Sequence, residues 1–82
     1  MKRSKELIIS QILEVCLDGA IKTSIVYQTN LNFKRIDFYL ERLMDNGFIR
    51  AEQGKGIFYK TTDKGFRTLE KLKDVHSELS QV

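Results

Sequence analysis

The chain has 82 residues, 41% hydrophobic and 30% charged, with a net charge of +3 at pH 7, which fits one ordered domain around a small core and excludes a disordered chain. No apolar run approaches the ~18 residues of a membrane span and the first ten residues lack a secretory pattern, so a soluble, cytoplasmic protein is expected. A single cysteine, Cys16, and a single histidine, His76, exclude an internal disulfide and a thiolate–imidazole zinc site; neither metal nor cofactor is expected.

Residues 4 to 18 carry Leu7, Ile8, Ile9, Ile12, Leu13, Cys16 and Leu17, an apolar stripe at three- and four-residue spacing that predicts a core-facing helix, with Gly19 ending it in a left-handed conformation. Lys2, Arg3 and Lys5 read as a solvated helix start in preference to the alternative, an arm that adds phosphate contacts. Ala20 to Lys22 allow only a short extended segment. Thr23 is then expected to cap a second helix over 24 to 29, with Ile25 and Val26 inward.

Asn30 suits the end of that helix, because asparagine tolerates positive φ. Asn32 suits the N-cap of the next, and Leu31 with Ile36 at the fourth helical position forms a hydrophobic staple across it. Asn-Leu-Asn is therefore read as a tight turn. The third helix is expected from Phe33 to about Asp45, with Ile36, Leu40, Leu43 and Met44 inward and Gly47 as terminator. With Ile36 at zero and 100° per residue, Lys34, Phe38 and Arg42 fall at about 160°, 200° and 240°, on the outer face, with Arg35 at its margin. Glu41 and Asp45 share that face.

Phe48 to Gln53 and Ile57 to Thr61 alternate and are rich in aromatic and β-branched residues, and Gly54-Lys55-Gly56 between them predicts a hairpin with a glycine-rich tip. Thr62 is a suitable N-cap for a last helix carrying Phe66, Leu69, Leu72, Val75, Leu79 and Val82. Phe66 and Leu69 suit packing on the body of the chain. Leu72, Val75, Leu79 and Val82 follow the spacing of a coiled-coil seam, and because Val75, Leu79 and Val82 lie too far along to reach a core this small the four are expected to join two copies. The other reading is that only Phe66 and Leu69 pack and the end of the helix frays.

Catalysis finds no foothold. A nucleophile needs a base beside it, yet Cys16 falls on a buried stripe and His76 near the chain end. The glycine pair at 54 and 56 is too short to cradle phosphates. An enzyme is not expected.

Charge distribution is more informative. Residues 22 to 60 hold seven basic side chains (Lys22, Lys34, Arg35, Arg42, Arg50, Lys55 and Lys60) against four acidic ones, whereas the four of each sign from 61 to 82 cancel. A short helix, a tight turn and a longer helix with a basic outer face have the pattern of a helix-turn-helix, whose second helix enters the major groove of duplex DNA. A basic hairpin directly after it can bring Lys55 onto the adjacent backbone, and the flanking glycines allow close approach to phosphates.

"IKTSIVYQTNLNFKRIDFYLERLMDNGFI" and "FYKTTDKGFRTLEKL" resemble the small archaeal winged-helix proteins typified by the ten-kilodalton DNA-binding protein "a" of Sulfolobus. The resemblance implies an α+β, mainly α fold, a winged helix-turn-helix of three helices, a β-hairpin wing and a C-terminal helix. It also implies DNA binding and a homodimer joined through the C-terminal helices. Where that family's best-known members carry a long coiled-coil helix, this chain from Asp63 has at most 20 residues, about 30 Å, so a transcriptional regulator is expected rather than a DNA-bridging protein. The expected division is a DNA-binding unit over 1–62 and a dimerisation helix over 63–82.

The expected DNA-facing residues are Thr23 and Ser24, as phosphate donors at a helix N-terminus, Asn32, Lys34, Arg35, Phe38 and Arg42 on the groove face, and Lys55 on the flanking backbone. A second reading stays open: Phe38 among charges, with Glu41 and Asp45 repelling phosphate, also suits a module that binds protein within a transcription complex.

Overall fold

The computed structural model describes residues 3–80, with the backbone alone for 76–80. Helix α1 spans Lys5–Val15, α2 Lys22–Thr29, α3 Phe33–Asp45 and α4 Asp63–Ser80, with strands β1 (Ile49–Gln53) and β2 (Ile57–Thr61) between α3 and α4. This is the expected order of elements.

Ser4 begins α1 by accepting the Leu7 N–H on its hydroxyl at 3.1 Å. The helix predicted over 4 to 18 ends earlier, at Val15. The Cys16 carbonyl cannot serve a further helical turn because it accepts from the Gly19 N–H at 3.1 Å and from the Thr61 N–H of β2 at 2.9 Å. Gly19, at φ 92°, then reverses the chain as expected. Ala20 exchanges both backbone hydrogen bonds with Tyr59, at 3.0 and 2.8 Å, a one-residue bridge that ties the α1–α2 connection to the hairpin.

Thr23 is not the cap of α2. The first helical bond closes on Ile21, whose carbonyl accepts the Ile25 N–H at 3.1 Å, and no side chain caps this end. The helix starts earlier than predicted, with Lys22 in its first turn joined to Asp37 of α3 at 2.6 Å. At the other end Asn30 takes the left-handed conformation, φ 57°. Asn32 caps α3 by accepting the Arg35 N–H on Oδ1 at 2.8 Å, and Leu31 and Ile36 are both buried across the turn. Ile36, Leu40 and Leu43 point into the core with Met44 packed against it, and Gly47, at φ 76°, ends α3.

The strands pair antiparallel from Ile49–Thr61 to Gln53–Ile57. Only Ile49 of β1 is buried, so the hairpin projects beyond the core. Its base is knotted to α4. The Thr62 hydroxyl donates to the Gly47 carbonyl at 2.6 Å and accepts the Gly65 N–H at 3.1 Å, while the Thr62 N–H donates to the Phe48 carbonyl at 3.0 Å. A Cβ on Gly65 would lie 2.1 Å from the Phe48 carbonyl oxygen and 2.7 Å from Thr61 Cγ2; the helix approaches the hairpin more closely than any side chain permits. Phe66 is 47% exposed rather than packed on the body, because Gly65 one position earlier occupies the inward site. Leu69 does pack there.

One core gathers Ile8, Ile12 and Leu13 of α1, Ile25, the α3 stripe, Ile49, Tyr59 and Leu69. The buried Thr61 hydroxyl donates to the Leu13 carbonyl at 2.7 Å, and among the described residues every buried side-chain polar atom has a partner. No helix among them is long and apolar enough to cross a membrane.

Candidate nucleic-acid interface

The outer face of α3 presents Lys34, Phe38 and Arg42 as one ridge, a side chain every four residues over about 12 Å of helix, and all three are exposed together with Arg35. Ile36, Leu40 and Leu43 on the opposite face fix this orientation. Phe38 does not stand alone in water. The Arg42 guanidinium lies over its ring, Cζ 3.5 Å from the centroid, and Nη1 donates to the Phe38 carbonyl at 3.2 Å. Tyr39, half-buried, meets the same ring edge-on, with centroids 5.5 Å apart and planes at 82°. A cation over an aromatic face is attracted by the ring's negative quadrupole, so both side chains are held without a carboxylate. Among the described residues Lys34, Arg35, Arg42 and Lys55 form no ion pair.

Asp37, at the edge of this ridge, is occupied by Lys22. That hydrogen bond raises the Lys22 pKa above its ordinary value, against the lowering effect of burial. The pair sets the N-terminus of α2 against α3. Thr23 is exposed in the first turn, where the N–H groups of residues 22 to 24 precede the first intrahelical bond. The Ser24 hydroxyl accepts from Gln28 Nε2 at 2.8 Å. Asn32 is exposed, yet its Oδ1 is used in capping α3, which leaves its amide N–H groups free and removes the paired donor and acceptor that adenine recognition requires.

Arg3 departs from the solvated role expected of it. Its guanidinium donates to Gln11 Oε1 at 2.9 Å and to the carbonyls of Thr29 and Asn30. It thus satisfies the bare carbonyl end of α2, where a cation is also favoured by the helix dipole. Lys2 lies outside the described residues.

In the hairpin, Gly54 N–H donates to the Gly56 carbonyl at 2.8 Å and closes the tip, with Lys55 exposed at its apex. Arg50 is neutralised by Glu52 on the same strand, Nε to Oε1 2.7 Å. The net cation of the tip is therefore Lys55. On α4, Lys73 pairs with Glu14 of α1 at 3.0 Å, Leu72 is half-buried and Val75 is 55% exposed. The side chains of His76 and Leu79, and the whole of Val82, lie outside the described residues.

Cys16 is fully buried and burial pushes its thiol up to about 12, so it is neutral and sheltered at ordinary pH. No group of three or more His, Cys, Asp and Glu residues that could hold a metal occurs among the described residues.

Sequence reasoning found the α3 ridge and the hairpin tip but missed Arg3 and the Lys22–Asp37 pair. Neither leaves a local signal, since each joins residues far apart in sequence. A glycine inside the first turn of α4 was a visible signal for a close approach.

The family model of the winged helix-turn-helix matches residues 2–80. The chain is 40% identical over 76 residues to an uncharacterized protein of Methanocaldococcus jannaschii, MJ0290, covering 92% of this chain and 35% of that protein. It is 32% identical over 75 residues to a second one from the same organism, MJ0287, covering 90% of this chain and 77% of that protein. The chain therefore spans about a third of the length of the first relative. Among solved structures, Sso10a-2, a DNA-binding protein from Sulfolobus solfataricus, superposes with a TM-score of 0.87 at 20% identity, over 96% of this chain and 84% of the other. The MarR family transcriptional regulator SPO1453 from Silicibacter pomeroyi superposes with 0.75 at 13% identity, over 90% and 56%. At these identities both are likenesses of fold.

Proposed function

From the membership of this chain in the winged helix-turn-helix family, we propose that it binds double-stranded DNA as a transcriptional regulator, with α3 in the major groove and the β1–β2 hairpin as its wing. The observation that carries this reading is the α3 ridge. Three residues one turn apart offer two cations and a ring to a groove about 12 Å wide that accepts one helix. Lys34 and Arg35 serve the flanking phosphates and groove edge, Arg42 and Phe38 the bases, and Lys55 the backbone beside the wing. Thr23 and Ser24 supply N–H groups to a phosphate at the start of α2, and Asn32, with its oxygen used as a cap, contributes a donor. The DNA-binding properties stated for Sso10a-2 support the same reading.

Residues 1–62 form the DNA-binding unit in this proposal and 63–82 the dimerisation helix, with Leu69 anchoring that helix in the core and Leu72, Val75, Leu79 and Val82 facing a second copy. Val75, exposed on the single chain, supports this. Two copies would present two α3 helices to two half-sites.

Fluorescence anisotropy with random duplex DNA at two salt concentrations tests the proposal. Binding should weaken as salt rises, with non-specific dissociation constants no tighter than roughly 10⁻⁴–10⁻⁶ M at physiological salt. Absence of salt-dependent binding when the lower salt is well below physiological and protein reaches about 10⁻⁴ M, the weak end of that range, would transfer the α3 face to the protein-binding reading.

A further inference from the structure

Phe38 and Arg42 are built as one object. The guanidinium carbon lies 3.5 Å from the ring centroid, and Nη1 is fixed on the Phe38 carbonyl at 3.2 Å. Tyr39 packs against the ring with its plane at 82° to it. A guanidinium stacked through its face keeps its in-plane N–H edge open, and that edge pairs bidentately with guanine O6 and N7. Only one N–H is engaged with the Phe38 carbonyl. The neighbouring Asp37 carboxylate is occupied by Lys22, and among the described residues no carboxylate draws Arg42 away. An arginine already held in this way surrenders less rotamer freedom on binding than a free one.

The spacing of the stack matches that of its target. Base pairs rise by about 3.4 Å, and the ring and guanidinium are 3.5 Å apart. A guanidinium lying in the plane of one base pair therefore sets the ring at the level of the next. In the major groove the apolar group available to a ring at that level is the thymine 5-methyl.

Resting on the DNA-binding reading above, we propose that Phe38 and Arg42 act as a single specificity unit that reads a guanine and the thymine of the adjacent base pair, with Phe38 both touching the methyl and positioning Arg42. Lys34, one turn earlier on the ridge, lies outside this unit and contributes charge.

The test begins with selection of bound duplexes from a random pool by the full chain. In the enriched sequence the thymine is replaced by deoxyuridine, which removes only the methyl, and the guanine by 7-deazaguanine, which removes only N7. Anisotropy titrations should show wild-type affinity falling about fourfold for the first, the burial of one methyl, and about tenfold for the second. In Phe38→Ala the loss on removing the methyl should vanish and the loss on removing N7 should shrink. An enriched sequence without a G·C pair next to an A·T pair, or methyl removal that leaves wild-type affinity unchanged, would overturn the unit, and both results are read on the unaltered chain. Methyl sensitivity persisting in a folded Phe38→Ala would also overturn it. Duplex binding with no enriched sequence removes the specificity unit and leaves DNA binding standing; absence of salt-dependent duplex binding removes both.

Discussion

Replacing Gly65 by alanine tests the junction on which the wing hangs. The added Cβ would meet the Phe48 carbonyl oxygen at 2.1 Å, whereas carbon–oxygen contacts settle at about 3.3 Å, so α4 and the hairpin base must separate by roughly 1 Å. The obstacle is backbone, and it cannot swing aside without loosening the Thr62 N–H bond that it accepts at 3.0 Å. Overpacking of this kind costs about 1–3 kcal/mol and a weakened backbone bond about 1 kcal/mol more. The better helix propensity of alanine returns about 1 kcal/mol. A net loss of about 1–3 kcal/mol follows, which for a domain of this size lowers Tm by about 4–24 °C. Thermal melting followed by circular dichroism reads it directly. Gly56→Ala, whose Cβ would meet nothing within 4 Å, is the control and should change stability by less than about 0.5 kcal/mol. A Gly65→Ala melt within about 2 °C of the parent would refute the close packing of α4 on the hairpin.

Arg3→Ala removes the guanidinium from the carbonyl end of α2 and should destabilise the chain by about 1–2 kcal/mol in urea unfolding; an unchanged midpoint would leave the clasp without energetic weight. The native Cys16 thiol should resist an alkylating reagent at pH 8 and react once denaturant unfolds the chain. Because the folded thiol titrates at about 12 and the ordinary value is 9.0, the unfolded chain loses its proton first, so stability should hold below about pH 9 and fall as pH rises from there toward 12. Deleting residues 74 to 82 should convert the proposed dimer into monomer in sedimentation, and a retained dimer would contradict the role given to α4.

Most of this architecture was legible because its signals are local. Asn30 and Asn32 carry the turn in their own backbone preferences, one at positive φ and one as an N-cap, and the α3 stripe of Ile36, Leu40 and Leu43 fixes which side chains face outward. The errors came where distant groups decide. Thr23 is a good capping residue, but α2 closes on Ile21 and begins at Lys22, which pairs with an aspartate fifteen positions away. Val15 ends α1 because a strand contributed by Thr61 captures the next carbonyl. Phe66 has the spacing of a core residue, and Gly65 holds the position that it would need. The Phe38 and Arg42 positions were visible as two exposed side chains on one face. Their stacking into one object was not, since helical spacing brings residues i and i+4 together without saying whether their side chains meet.

The central claim, that α3 and the wing tip contact DNA in different ways, is tested by anisotropy titrations across a salt series with a selected and a random duplex. Arg42→Ala should lower affinity for the selected duplex severalfold or more. Lys55→Ala should weaken both duplexes alike and reduce the log–log salt slope by about one, the loss of one phosphate contact. Titrations in which neither substitution alters affinity or slope would contradict the account.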